Sequence, residues 1–278
     1  MIEQSLTGRT IAVPESRELD VFASMLERRG AGVVRCPLVT IVDAPDPTPV
    51  LTWVRSFANG EMDDLILLTG EGLRRLLGCI DAHQPAQRDA FCAQLARVRK
   101  ITRGPKPARA LRELGLKPDL AALEPTTRGV IDALRSENLQ GRTVGVQLYG
   151  DQPNELLLNF LGGAGAIARA VAPYAYADQA SEGAVRELLS SLAAGRIDAI
   201  AFTSTPQVER LFAVGGDELC KAALAKTHVA AIGPVVADAL ARRGVSIDVM
   251  PQDSWFMKPL TNTLAEALAQ SAIRDISA

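Results

Sequence analysis

Apolar residues in this chain come in two alternating textures. Short continuous runs read as buried strands: TIAV (10–13), DLILL (64–68), TVGVQL (143–148), AIAF (199–202) and HVAAI (228–232). VVRCPLV (33–39), RKIT (99–102), DLAAL (119–123), AIARAVAPY (166–174) and SIDVM (246–250) are weaker versions of the same signal. Between them lie stretches with helical spacing. In RELDVFASMLERRG (17–30), Leu19, Phe22 and Leu26 share a face and Gly30 marks the stop. In TPQVERLF (205–212), Val208, Leu211 and Phe212 do the same. About five strands in each half, separated by helices, predict parallel sheets covered on both faces. The expected class is α/β, as doubly wound flavodoxin-like domains.

The pattern also repeats. TGRTIAV returns as QGRTVGV, moving Arg9 to Arg142 by 133 positions. DDLILLTGEGLRRLL returns as DAIAFTSTPQVERLF, moving Thr69 to Thr203 by 134. ITRGPKPARALRELGL returns as AAIGPVVADALARRGV, moving Gly104 to Gly233 by 129. Three blocks in one order with nearly one shift indicate an internal duplication.

Linker composition bears on where domains begin. DAPDPTPV (43–50) carries three prolines and suits an extended linker, and YADQASEG (176–183) stands at the matching place in the second repeat. Two such crossings predict two domains joined by a two-stranded hinge, with domains that need not coincide with the repeats. The expected division is 1–40 plus 178–270 for a discontinuous first domain, 41–177 for the second, and 271–278 as a tail. MIEQS and the segment after Leu268 are expected to fray.

Composition narrows the class further. Of the 278 residues, 47% are apolar and 22% charged, and the net charge of -2 offers neither a nucleic-acid footprint nor a membrane-surface patch. No apolar run approaches the ~20 residues of a membrane span, and the first residues lack the order of a signal peptide. Cys36, Cys79, Cys92 and Cys220 show no CxxC spacing and His83 and His228 lie far apart, so neither a disulfide framework nor a metal site is expected. A cytoplasmic monomer is the expectation.

In open α/β sheets, ligands bind beyond the carboxyl ends of the strands, where helix N-termini present unpaired N–H groups. Thr203, Ser204 and Thr205, followed by Pro206, lie on that edge. Thr69 and Gly70 open a helix in the first repeat, and Gly233 and Pro234 open another in the second. Arg103, Gly104 and Lys106 add two cations beside a helix start, Tyr149 and Gly150 precede a helix that Asn154 can cap, and Arg17 begins the first helical run. Gathered together, such helix starts suit a ligand rich in carboxylates or phosphates. No Walker loop, GxGxxG, G-x-S-x-G or HExxH supports nucleotide, serine-hydrolase or zinc chemistry. The tyrosines at 149, 174 and 176 are the candidate proton donors.

FTSTPQVERLF followed by VAAIGPVVADALARRGV resembles the signature of the uroporphyrinogen-III synthase family, a strand with Phe-Thr-Ser before a block with Ile-Gly-Pro. RGAGVVRCPLV is similar to that family's second strand, and GAGAIARAVAPYAY to the strand carrying a family tyrosine, which falls on Tyr174. The resemblance runs over residues 9–268. It implies two α/β domains, one combining the start of the chain with its last third. It also implies cofactor-free conversion of hydroxymethylbilane, a linear tetrapyrrole with eight carboxylates, to uroporphyrinogen III. Water is lost, ring D attacks at its substituted carbon, and closure through a spiro intermediate inverts that ring. The resemblance assigns Tyr174 to departure of the hydroxyl and the strand-end residues to the carboxylate arms. Transient contact with hydroxymethylbilane synthase is an implied partnership. Val235 and Val236 stand where the family usually has a hydroxyl residue after Ile-Gly-Pro, and Gly70 stands where it has serine. Those departures define the alternative, a non-catalytic tetrapyrrole- or carboxylate-binding regulatory relative.

Overall fold

The computed structural model describes residues 4–150 and 153–276, with side chains as far as residue 269. The chain forms two compact units, Met1–Thr40 with Ala177–Ala278 (unit 1) and Ile41–Tyr176 (unit 2). Unit 1 begins with β1 (Thr10–Val13), α1 (Leu19–Glu27) and β2 (Gly32–Arg35). β3 (Val39–Asp43) leads into unit 2, which runs α2 (Thr48–Ala58), β4 (Asp64–Leu67), α3 (Gly70–His83), α4 (Arg88–Arg97), β5 (Arg99–Thr102), α5 (Pro105–Arg112), β6 (Leu120–Ala121), α6 (Thr127–Leu134), β7 (Thr143–Gln147), α7 (Glu155–Gly163) and β8 (Ile167–Val171). β9 (Tyr174–Asp178) returns the chain to unit 1, which closes with α8 (Glu182–Ala193), β10 (Ala199–Phe202), α9 (Thr205–Leu224), β11 (His228–Ala231), α10 (Pro234–Arg242) and α11 (Met257–Ile276).

Unit 2 is built on a five-stranded sheet ordered β6-β5-β4-β7-β8 and unit 1 on a four-stranded sheet ordered β11-β10-β1-β2. The paired strands of both are parallel. A bridge from Ala230 to Val249 extends the unit 1 sheet beyond β11, where the sequence SIDVM predicts a strand. Read outward, unit 1 follows the flavodoxin-like order, and unit 2 has the same spatial order in a circularly permuted chain. Both faces of the unit 2 sheet are covered, and β4 shows how. Leu65 and Leu67 pack into one apolar cluster with Trp53, Phe57 and Phe91, while Ile66 and Leu68 pack into another with Val146, Leu157 and Leu161. Successive residues of a strand point to opposite faces, so a strand buried on both is apolar at every position past the ion-paired Asp64.

The duplication is visible in the sheets, but the repeats are not the units. β1 and β7 correspond, as do β4 and β10, and β5 and β11. Each sheet therefore joins the first two strands of one repeat to the later strands of the other. The match reaches side chains: the Thr10 amide donates to Asp198 (2.7 Å) and the Thr143 amide to Asp63 (2.8 Å). Likewise the Lys100 amide donates to Asp119 and the Val229 amide to Asp248, each at 2.8 Å. This register corrects the sequence alignment by one residue in the middle block. Ile11 lies beside Ala199 and Val144 beside Asp64, so Thr69 corresponds to Ser204, not Thr203. Both are helix N-caps.

The predicted linkers contain more structure than expected. β3 and β9 pair as a two-stranded sheet, and α2 already begins at Thr48, with Pro49 in its first turn. Proline costs nothing there because that N–H has no intrahelical acceptor. Helix α11 continues past Leu268 to Ile276, where fraying was expected. Residues 1–3, 151–152 and 277–278 lie outside the described residues, so Asp151 and the end of the 271–278 tail are not placed.

Candidate functional site

The carboxyl edge of the unit 2 sheet collects most of the candidate residues. Thr69 follows β4 and caps α3, its hydroxyl accepting from the Gly72 amide at 2.9 Å. Gln147, at the end of β7, accepts from the Thr69 amide (3.1 Å) and donates to its hydroxyl (3.3 Å) and to the Leu148 carbonyl. A Cβ at Gly72 would collide with that amide, so glycine there makes room for Gln147. Gly70 has a different reason: a Cβ would lie 2.7 Å from the Lys106 carbonyl oxygen, where α3 crosses α5.

Tyr174, at the start of β9, is buried to 1% exposure, and its hydroxyl lies 3.3 Å from that of Thr69. Burial pushes its phenol above the ordinary value, opposed by hydrogen bonds from Thr69 and Tyr176 and by the Arg103 charge. Tyr176 stands edge-on to it, ring centres 5.6 Å apart. Gly150 turns the chain with φ of 65°, and a Cβ there would come within 2.9 Å of the Tyr176 ring. Arg103 follows β5 and lies over the Tyr149 ring, 5.2 Å from its centre. All three tyrosines of the chain act on this one guanidinium, which burial pushes below its ordinary value.

Gly104 caps α5 in extended conformation, and a Cβ would meet Pro125 at 2.7 Å. Lys106 is exposed in the first turn of that helix. Asn154 departs from expectation. It occupies the N-cap position of α7, but its side chain makes no cap bond and donates instead to the Thr127 hydroxyl at 2.9 Å.

The corresponding edge of unit 1 is filled from within. Thr203 is 8% exposed, and its hydroxyl donates to the carboxylate of Glu15, itself 7% exposed. Gln207 completes the cluster, accepting from the amides of Thr203 (2.8 Å) and Ser204 (3.3 Å) and donating to Thr203 and Glu15. The donors expected to meet an external carboxylate at Thr203 are thus engaged by the protein's own side chains. Ser204 and Thr205 remain half-buried at the start of α9. Gly233 caps α10 ahead of Pro234, and a Cβ there would meet the Trp255 ring at 2.5 Å. Val235 is half-buried and Val236 buried at 4% exposure. Arg17 is exposed, its amide donating to Glu15 at 3.1 Å.

Sequence reasoning missed Glu15, Gln207 and Gln147. Gln207 was legible in part, since a glutamine three residues after a serine N-cap signals a capping box. Glu15 follows β1 directly, on the same sheet edge, and that position was its available signal. Among the described residues, no three His, Cys, Asp or Glu side chains form a metal-binding group. The four cysteines are free, and burial with Asp217 nearby pushes Cys220 up to about 11. No helix among the described residues is long and apolar enough to cross a membrane.

Comparison with known proteins adds three findings. The family model described as uroporphyrinogen-III synthase HemD matches residues 20–261. The uncharacterized protein YjjA of Bacillus subtilis (strain 168) is 31% identical over 254 residues, covering 90% of this chain and 92% of YjjA. Among solved structures, a mutant uroporphyrinogen III synthase from the extreme thermophile Thermus thermophilus superposes with a TM-score of 0.76. It is 27% identical, and the match covers 95% of this chain and 100% of that one.

Proposed function

This chain belongs to the uroporphyrinogen-III synthase family, and on that premise we propose that it catalyses the cyclising dehydration of hydroxymethylbilane to uroporphyrinogen III, in the cytoplasm and as a step of tetrapyrrole synthesis. The observation that most supports this reading is the family match across residues 20–261, within which Tyr174, Thr69 and Arg103 share one sheet edge.

In this reading Tyr174 is the general acid. A phenol that titrates near ~10 when free is protonated at neutral pH, and burial pushes Tyr174 further up, so it has a proton to give. The carbon–oxygen bond of the hydroxymethyl group breaks, the oxygen leaves as water with the tyrosine proton, and the pyrrole system carries the positive charge. Ring D attacks at its substituted carbon, the spiro intermediate rearranges, and the proton released on closure restores the phenol. Positioning supplies the rest, because the unassisted cation closes without inverting ring D. The Thr69 hydroxyl lies 3.3 Å from that of Tyr174, long for an O–H···O bond, so the phenol can exchange this partner for the departing oxygen. On unit 1, Thr203 orders the strand end through Glu15.

The test is a coupled assay in which porphobilinogen and its deaminase generate hydroxymethylbilane in place. Products are then oxidised and the uroporphyrin isomers separated. Predominant isomer III supports the synthase; isomer I alone from folded protein sinks it. One observation favours a second reading, a tetrapyrrole-binding regulatory relative. Glu15 and Gln207 occupy donors at the unit 1 edge while Val235 and Val236 open α10. Isomer I together with tight uroporphyrin binding is that reading's signature.

A further inference from the structure

Arg103 differs from the other cations at the ends of the unit 2 strands. Arg99 and Arg142, at the opposite edge of that sheet, both reach the buried carboxylate of Asp64, at 3.1 and 2.6 Å. Arg103 is half-buried, yet no carboxylate among the described residues pairs with it; its neighbours are the phenols of Tyr149, Tyr174 and Tyr176. Taking a guanidinium partly out of water costs free energy that an anion would return. A phenol face gives back only part of it.

The backbone around Arg103 has the same polarity. Helix α5 starts at Pro105 and directs its positive end to this edge. Prolines at 105 and 107 leave Lys106 as the sole N–H among its first three residues, so α5 offers charge without a cradle of backbone donors. Any anion held here needs side-chain donors, and a guanidinium over a flat ring presents two parallel N–H groups suited to a carboxylate. In unit 1 the equivalent position is Ile232, 5% exposed, which can do none of this.

We propose that Arg103, fixed over the Tyr149 ring, is the carboxylate receptor of unit 2. It seats one acidic side arm of a polycarboxylate tetrapyrrole beside Tyr174. This deepens the synthase reading and rests on it for the identity of the tetrapyrrole. The guanidinium binds, and Tyr174 does the proton transfer. Arg103 therefore governs KM more than kcat.

Direct binding of uroporphyrin III, followed by calorimetric titration of the full chain, tests the proposal without turnover. Arg103→Gln is expected to bind at least ~10-fold more weakly, the loss of a charge-assisted bidentate pair. Arg103→Lys keeps a cation but not the fork, and is expected to recover only part of that affinity. Added salt should weaken the wild type more than Arg103→Gln. In the coupled assay KM should rise about as much as affinity falls. Circular dichroism confirms folding, and Arg103→Lys carries the test if Arg103→Gln does not fold. Wild-type affinity and wild-type salt dependence in either folded variant overturn the proposal, as does absence of uroporphyrin binding by the wild type. Isomer III formed by Arg103→Gln at unchanged KM also overturns it, leaving the synthase reading intact. A wild type that binds uroporphyrin through Arg103 but yields isomer I alone upholds the receptor and sinks the synthase.

Discussion

The carboxyl edges of the two sheets begin from one strand order and end in opposite chemistry. At the unit 1 edge, a resident carboxylate and a glutamine amide take up the threonine that follows β10 and the two amides ahead of α9. At the unit 2 edge, a cation stands among three phenols, one of them 3.3 Å from the threonine that caps α3, with no carboxylate among the described residues on the cation. The scaffold fixes where a ligand could meet the chain, and a few side chains after each strand decide whether the place is filled or receptive. Duplication preserved the first property and let the second diverge.

The largest effect expected from this contrast is on turnover. Tyr174→Phe should lower isomer III formation by about 10²-fold or more, the range of a lost general acid, with little change in melting temperature. Thr203→Val, on the other edge, should do the reverse. It removes the hydroxyl that satisfies buried Glu15 and should cost ~1–3 kcal/mol of stability, read as a shift in urea midpoint, while leaving most of the rate. Should Thr203→Val reduce turnover as severely as Tyr174→Phe, the two edges are not opposites.

Gly72→Ala should sharpen the comparison. Its Cβ would displace Gln147 from Thr69, at about 1–3 kcal/mol for overpacking, and should loosen the neighbouring Tyr174 as well. A variant with unchanged stability and turnover would show that Gln147 is dispensable.

The smallest effect is a pH dependence. Tyr174 has a raised pKa in the folded state, so its contribution is complete below the unfolded value near ~10 and is lost as pH climbs through the folded value. Denaturation midpoints at successive alkaline pH values should fall faster for the wild type than for Tyr174→Phe. Parallel curves would place Tyr174 in water rather than in the core.

What was legible in the sequence follows from burial. β4 and β10 are buried at every position, so β10, and β4 after Asp64, appear as unbroken apolar runs. β3 and β9 are half-buried, with sequences VTIVD and YAYAD beside proline and acidic residues, and they hide in what reads as linker. The candidate site divides the same way. Thr69, Gly104 and Gly233 were visible because helix caps are local signals. The Glu15–Thr203 bond joins residues 188 positions apart, and no local pattern encodes such a contact. Arg103 was visible as a cation, but the tyrosine company that distinguishes it from Lys106 comes from strands distant in sequence.

The permuted strand order also has a consequence in time. Unit 2 is contiguous, so all five strands of its sheet have left the ribosome once residue 171 is free. Unit 1 must wait. β1 and β2 emerge first, yet β1 pairs with β10, placing Ile11 beside Ala199. Until then two finished strands present an unpaired edge to the surroundings, with its attendant exposure to aggregation. The same arrangement means that neither repeat, expressed alone, can complete either sheet. The ancestral copies survive as a sequence pattern, while the units that complete a sheet cut across them.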